Sequence, residues 1–350
     1  MLLHPDRRQF CLGTLAATAA GHVRAAGDTL RVLAWPGYAD PDIVQTFERR
    51  YGSRVEVTVI DSDLDLWNKI IANGAQDFDV FAVNTAELQR YIRKGLVVGI
   101  ATETLPNLAR QRSRFRDLKS IPGIVHDGVV YAIPYTYSEM GLIYDRRQVP
   151  KAPDSLSALW DERYHGKVVA YNGGTHNFSL AALSLGMKSP FRLADRDWPR
   201  AVDRLIALRR NVTGFYTRPD ESVALFKHRQ AALMFANFGK QQLQLCKTAG
   251  LNVGYTLPKE GALAWLDCWV ITRSARNLNL ATAWINYLLE NEPGQVLMSR
   301  QGLSNTTSAE PDDAASDMLR WLQPVESEEH RNQLWGRIVS GDRASKVLAS

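Results

Sequence analysis

Apolar and polar positions along this chain follow a strand–helix–strand rhythm that begins at residue 30. Leu30-Arg31-Val32-Leu33-Ala34 has the apolar character of a strand. Asp40 then reads as a helix N-cap, Pro41 as the first helical residue and Gly52 as the stop, with Ile43, Val44, Phe47 and Tyr51 on one helical face. Val55, Val57 and Val59 alternate with Glu56 and Thr58, which predicts a second strand. Two strands joined through a helix run parallel with a right-handed crossover. Ligands of open parallel sheets sit beyond the carboxyl ends of the strands. Trp35-Pro36-Gly37-Tyr38 leaves the first strand at that edge, and Asp61-Ser62-Asp63 leaves the second. Two aromatics and several acids therefore converge on one rim, although Trp35 by position alone also reads as a packing aromatic.

The alternation continues to the end of the chain. Residues 64–73 read as a helix stopped by Gly74, 77–83 as a buried strand, and Asn84-Thr85 as the cap of a helix over 86–94. Residues 129–135 read as a strand ending at a proline, and 140–145 as another. The short polar segment between them, Thr136-Tyr137-Ser138-Glu139, suits a crossover between two domains. A second α/β set follows, with strands over 167–170 and 230–237 and a helix over 177–185. The strand over 265–271 is placed to return to the first domain, and helices over 278–290 and 293–300 follow it.

The first residues read as an address. Asp6-Arg7-Arg8-Gln9-Phe10-Cys11-Leu12 resembles a twin-arginine export signal, a weakly apolar stretch follows, and Val23-Arg24-Ala25 offers a small-residue cleavage site. The stretch is too short to span a membrane. A leader over 1–25 implies a periplasmic protein. Of 350 residues, 45% are apolar and 23% charged, enough to bury the cores of two domains. The net charge of +5 falls to about +3 without the leader, too mild for a nucleic-acid partner, and no basic stripe interleaved with aromatics is present. Beyond the leader only Cys246 and Cys268 remain, which could pair in an oxidising compartment or stay buried as free thiols. No Cys/His cluster has metal-ligand spacing, and P-loop, dinucleotide and nucleophile-elbow motifs are missing. The expectation is a protein with no catalytic residue, no metal and no cofactor.

Several segments together resemble the periplasmic spermidine/putrescine-binding proteins, the solute receptors of polyamine ABC importers. They are Leu33-Ala34-Trp35-Pro36-Gly37-Tyr38, Phe78-Asp79-Val80, Ala132-Ile133-Pro134-Tyr135, Gly141-Leu142-Ile143-Tyr144-Asp145, Ser157-Ala158-Leu159-Trp160-Asp161, Tyr164-His165-Gly166-Lys167, Pro258-Lys259-Glu260-Gly261 and Trp265-Leu266-Asp267. The resemblance implies two α/β lobes joined by crossing strands, here 26–134 plus 268–302 and 135–267 plus 303–350. It also implies a small amine ligand in the cleft, a monomer, and an inner-membrane permease as partner. Trp35, Tyr38 and Trp265 match cage aromatics, Asp267 matches an acid that holds a terminal amine, and Asn84 and Thr85 match a polar pair of a cleft loop. Tyr137, Asn172 and Asn237 lie at strand ends or crossovers facing the same cleft.

Departures from the family pattern are equally informative. The acid between the clamp aromatics is Gly37, and the strand after Lys167 runs into Tyr171-Asn172-Gly173-Gly174-Thr175-His176 with no carboxylate. One end of a diamine thus keeps its anchor and the other loses it. Asp61 and Glu139 are candidates to replace it, although each also reads as a solvated loop acid. His176 reads as favouring an anionic group or as capping its helix. The ligand expected is an amine, and a shorter or zwitterionic one suits the loss of one acidic end. Two other readings stay open: a sensor or scavenger of the same fold, and a secreted α/β enzyme.

Overall fold

A computed structural model describes residues 28–307 and 316–349; the leader read over residues 1–25 lies outside them. Among the described residues, twelve strands form one mixed sheet. Thr29–Ala34 pairs in parallel with Arg54–Val59 on one side and Val80–Asn84 on the other, as the strand–helix–strand pattern predicts. Helix Pro41–Tyr51 connects the first two and ends at Gly52, whose φ of 62° is the left-handed stop expected of a glycine. Asp40 occupies the N-cap but does not cap with its side chain; it and Asp42 instead accept hydrogen bonds from Arg300.

Two long strands at the centre join the halves of the molecule. Ala262–Thr272 pairs antiparallel with Val80–Asn84 through residues 267–271 and with Ile133–Asp145 through residues 263–269. Ile133–Asp145 continues into the second half, where residues 141–145 pair with Leu233–Ala236 and Val253–Thr256. Val168–Tyr171 and Val212–Tyr216 complete that half in parallel.

Ile133–Asp145 is a single strand, where the sequence predicts two separated by a polar crossover. Pro134 does not end it. The register slips at Asp267/Cys268, so Pro134 lies opposite Cys268 and Thr136 opposite Asp267, leaving Tyr135 as the extra residue of a bulge. A bulge is where a sheet tolerates a residue without an N–H. The polar residues after it are buried but satisfied: the Thr136 hydroxyl donates to the Ser304 carbonyl, and Ser138 Oγ accepts from the Lys240 N–H.

Each face of the sheet is covered by helices, and alternate residues of Ala262–Thr272 serve opposite faces. Trp265, Trp269 and Ile271 join one core, where Trp284 meets both Phe47 and Trp269 edge-on; Leu266, Cys268 and Val270 join another. Cys246 belongs to a third core in the second half. The two cysteines are therefore buried free thiols in different cores, and the pairing alternative falls.

Candidate ligand-binding cleft

The strand ends enclose a cleft of about 370 Å³ between the halves, within the range of small-molecule sites. The first half supplies the Trp35–Tyr38 loop, Asp61, Asp63 and Asn84, and the long strand adds Trp265 and Asp267.

Asp267 is the central acid. Its backbone lies opposite Asn84, and its side chain is buried, with only 6% exposed. The Tyr38 hydroxyl donates to Asp267 Oδ2 at 2.6 Å, and no cation pairs with it among the described residues. Burial pushes the Asp267 carboxyl up to about 7; the Tyr38 hydrogen bond opposes the rise and the nearby Asp63 charge adds to it.

Asp63 is held by its own loop. Ser62 caps helix Asp63–Ala72 through the Asp65 N–H, which leaves the Asp63 carboxylate free to accept from Asn84 Nδ2 at 3.2 Å. Asn84 is in turn the N-cap of helix Thr85–Arg93, its Oδ1 accepting from the Ala86 and Glu87 N–H groups. One asparagine thus starts a helix and aims an acid. Arg90 donates to the Asp63 carbonyl, pairs with Glu87 and Glu328, and stacks over Trp67 at 4.3 Å. Burial raises the Asp63 carboxyl to about 6; Arg90 opposes this and Glu328 adds to it.

The opposing wall carries Tyr171, His176, Asn237 and Phe238, with Arg218 and Asp220 paired at its exposed margin. His176 stacks on Tyr171 with ring centroids 5.7 Å apart, and its Nδ1 lies 2.7 Å from Asn237 Oδ1. Trp265 Nε1 donates to the Asn237 carbonyl at 3.2 Å, tying the shared strand to this wall. Gln241 and Gln301 meet across the cleft at 3.1 Å. Gln301 lies against Gly37, where φ is 84° and a side chain would collide with it.

Eight residues singled out from sequence therefore line the cleft: Trp35, Tyr38, Asp61, Asn84, His176, Asn237, Trp265 and Asp267. Four do not. Tyr137 packs against Phe115 and Trp321, and its hydroxyl accepts from Arg112. Glu139 is buried in an ion pair with Lys240 at 3.2 Å, so it does not supply the missing acid. Asn172 Oδ1 accepts from Trp335 Nε1, and Thr85 is buried in the first turn of its helix. The sequence placed Asp63 on the rim without singling it out, and did not single out Tyr171 or Gln301. Asp63 was legible as the residue after a capping serine.

Two α/β halves joined by long shared strands, with a cage of rings and acids between them, define a two-lobed solute receptor. Residues 42–319 match the profile of the bacterial extracellular solute-binding proteins, and the chain belongs to that family. It is 24% identical to the putrescine-binding periplasmic protein PotF of Escherichia coli, over 94% of this chain and 96% of that one. It is 26% identical to the putrescine-binding periplasmic protein SpuD of Pseudomonas aeruginosa, over 80% and 78%. Among solved structures, a putative spermidine/putrescine ABC transporter protein from Listeria monocytogenes superposes with a TM-score of 0.78 at 22% identity, over 89% of this chain and 99% of that one. The two-lobed fold and the solute-receptor class expected from sequence both stand.

Proposed function

We propose that this protein is the periplasmic receptor of an ABC importer, closing its lobes over a small amine-bearing solute and delivering it unchanged to an inner-membrane permease. The observation that carries this reading is Asp267, a buried carboxylate among aromatic rings whose side-chain partner is a neutral hydroxyl. Such a charge is costly to fold around until a cation meets it. A ligand ammonium supplies that cation, donating a charge-assisted hydrogen bond to the acid and making cation–π contacts of ~0.5–2 kcal/mol each with Trp35 and Trp265. The names of the curated relatives point to the same ligand chemistry.

A thermal-shift screen of amines, amino acids and amine-containing osmolytes tests it. An amine at ~100 times its dissociation constant adds ~2.7 kcal/mol of stability, a rise of about 4 °C for a chain of this size. A screen in which only solutes without an ammonium shift the melting point contradicts the reading.

The acids also set a pH dependence. With the Asp267 carboxyl at about 7, it is protonated in roughly half of the empty molecules at neutral pH, and an ammonium must displace that proton. Affinity for the amine is expected to fall as pH drops below about 7, by up to about tenfold per unit. Calorimetry at pH 7 in buffers of different ionisation enthalpy is expected to show proton release on binding. Proton uptake, or an affinity flat from pH 8 to 5, contradicts it.

A further inference from the structure

The two walls of the cleft differ in charge. Asp61, Asp63 and Asp267 belong to the first-half loops and the strand paired with them. On the second-half wall the carboxylate among the described lining residues is Asp220, already paired with Arg218 at 3.2 Å. The other lining residues of that wall are neutral, and the charges that reach His176 from behind, Glu328 and Arg331, are paired with Arg90 and Glu326. Asn237 is held at its N–H by the Tyr216 hydroxyl and at its carbonyl by Trp265 Nε1. His176 is held flat against Tyr171.

The polarity of this pair follows from one contact. Asn237 Oδ1 faces His176 Nδ1 at 2.7 Å, so Nδ1 carries the proton and donates. Nε2 is then a lone-pair acceptor and Asn237 Nδ2 a donor. Neither has a protein partner among the described residues, and neither is sealed within the core. Burial lowers the imidazole's proton affinity, which keeps the ring neutral.

We propose that His176 Nε2 and Asn237 Nδ2 read the far end of the ligand as a neutral group that donates and accepts at once, a carboxamide or a hydroxyl. This inference rests on the amine reading above and narrows it to amines with one charged end. A second ammonium can donate to Nε2, but it meets the Nδ2 donor and has no unpaired carboxylate on its wall. A carboxylate meets the Nε2 lone pair and the acids opposite, and the wall's arginine is engaged by Asp220. A hydroxyl or carboxamide satisfies both atoms without adding charge. A buried polar site rejects analogues that leave its groups unpaired far more strongly than an apolar pocket does.

The test is calorimetry with three matched series: ω-amino amides, diamines and ω-amino acids of roughly three to five methylenes. The amino amide of the best length is expected to bind at least about tenfold more tightly than the diamine or amino acid of the same length. His176→Asp places a carboxylate on the neutral wall and is expected to reverse the order, with the diamine gaining about tenfold or more and the amide losing. His176→Phe keeps the stack on Tyr171, removes the acceptor and is expected to abolish the preference, with a melting curve confirming the fold. A diamine or amino acid that binds the unaltered protein most tightly overturns this inference and leaves an amine receptor standing. Failure of all three series to bind overturns this inference, and the amine reading falls with it if no amine shifts the melting point.

Discussion

Replacing Asp267 with asparagine is expected to weaken amine binding by roughly 30- to several-thousand-fold while leaving the fold intact. Removing one side of a buried charge pair costs ~2–5 kcal/mol of binding energy. The side-chain amide introduced there would keep an acceptor for the Tyr38 hydroxyl, so the local geometry has little reason to change. The stability of the unliganded protein should move the other way. The folded carboxyl titrates at about 7, above its unfolded value of ~3.9. Its charge therefore costs stability above pH 7, and the cost is relieved as pH falls towards the unfolded value. Asp267→Asn removes that cost. The melting temperature of the empty variant should equal or exceed that of the parent at pH 8, with the advantage gone near pH 4. Calorimetric titration beside melting curves decides the matter. An unchanged affinity excludes Asp267 as the amine anchor, and a collapsed melting temperature with affinity kept makes it a structural residue.

Asp79→Ala is expected to do the reverse: a large loss of stability with cleft affinity nearly unchanged. Asp79 is 1% exposed and accepts four hydrogen bonds, from the Arg31 N–H, Arg31 Nε, an Arg31 guanidinium NH2 and the Arg276 N–H, at 2.6–3.0 Å. Arg31 is itself buried, in the strand that leads to Trp35. Breaking such a pair leaves a buried guanidinium uncompensated, at a cost of ~3–5 kcal/mol, or about 4–7 °C in melting temperature. Burial pushes the Asp79 carboxyl up, but its bonds from Arg31 and Arg276 prevail and hold it below the ordinary carboxylate range. Its contribution is thus complete above the ordinary range and lost as pH falls through the lowered value. A variant that melts within about 1.5 °C of the parent, equivalent to ~1 kcal/mol or less, contradicts this assignment.

The first strand–helix–strand unit was legible because its first strand is a nearly continuous apolar run, its helix has one apolar face between a proline start and a glycine stop, and its second strand alternates. The same reading carried the Trp35–Tyr38 loop to the cleft. It failed along Ile133–Asp145, where all thirteen residues are buried. Alternation carries no information when both faces of a strand are covered, so nothing in the sequence told that Tyr137 turns towards Phe115 and Trp321. Glu139 and Asn172 were misread for a different reason. Their partners, Lys240 and Trp335, lie 101 and 163 residues away, and only the folded chain shows that their polar groups are spent. Both Asp61 and Asp63 were placed on the rim and Asp61 was offered as the replacement anchor, yet Asp63 is the one that Asn84 holds.

The most direct test of a receptor whose two walls close on an amine is hydrogen exchange followed by mass spectrometry. The protein is compared alone and with the amine that gives the largest thermal shift, at ~100 times its dissociation constant. Slower exchange is expected at once in residues 35–38 and 61–63 of one wall and in residues 171–176 and 237–241 of the other. Protection confined to one wall, or lying elsewhere on the molecule, would contradict binding by closure of this cleft.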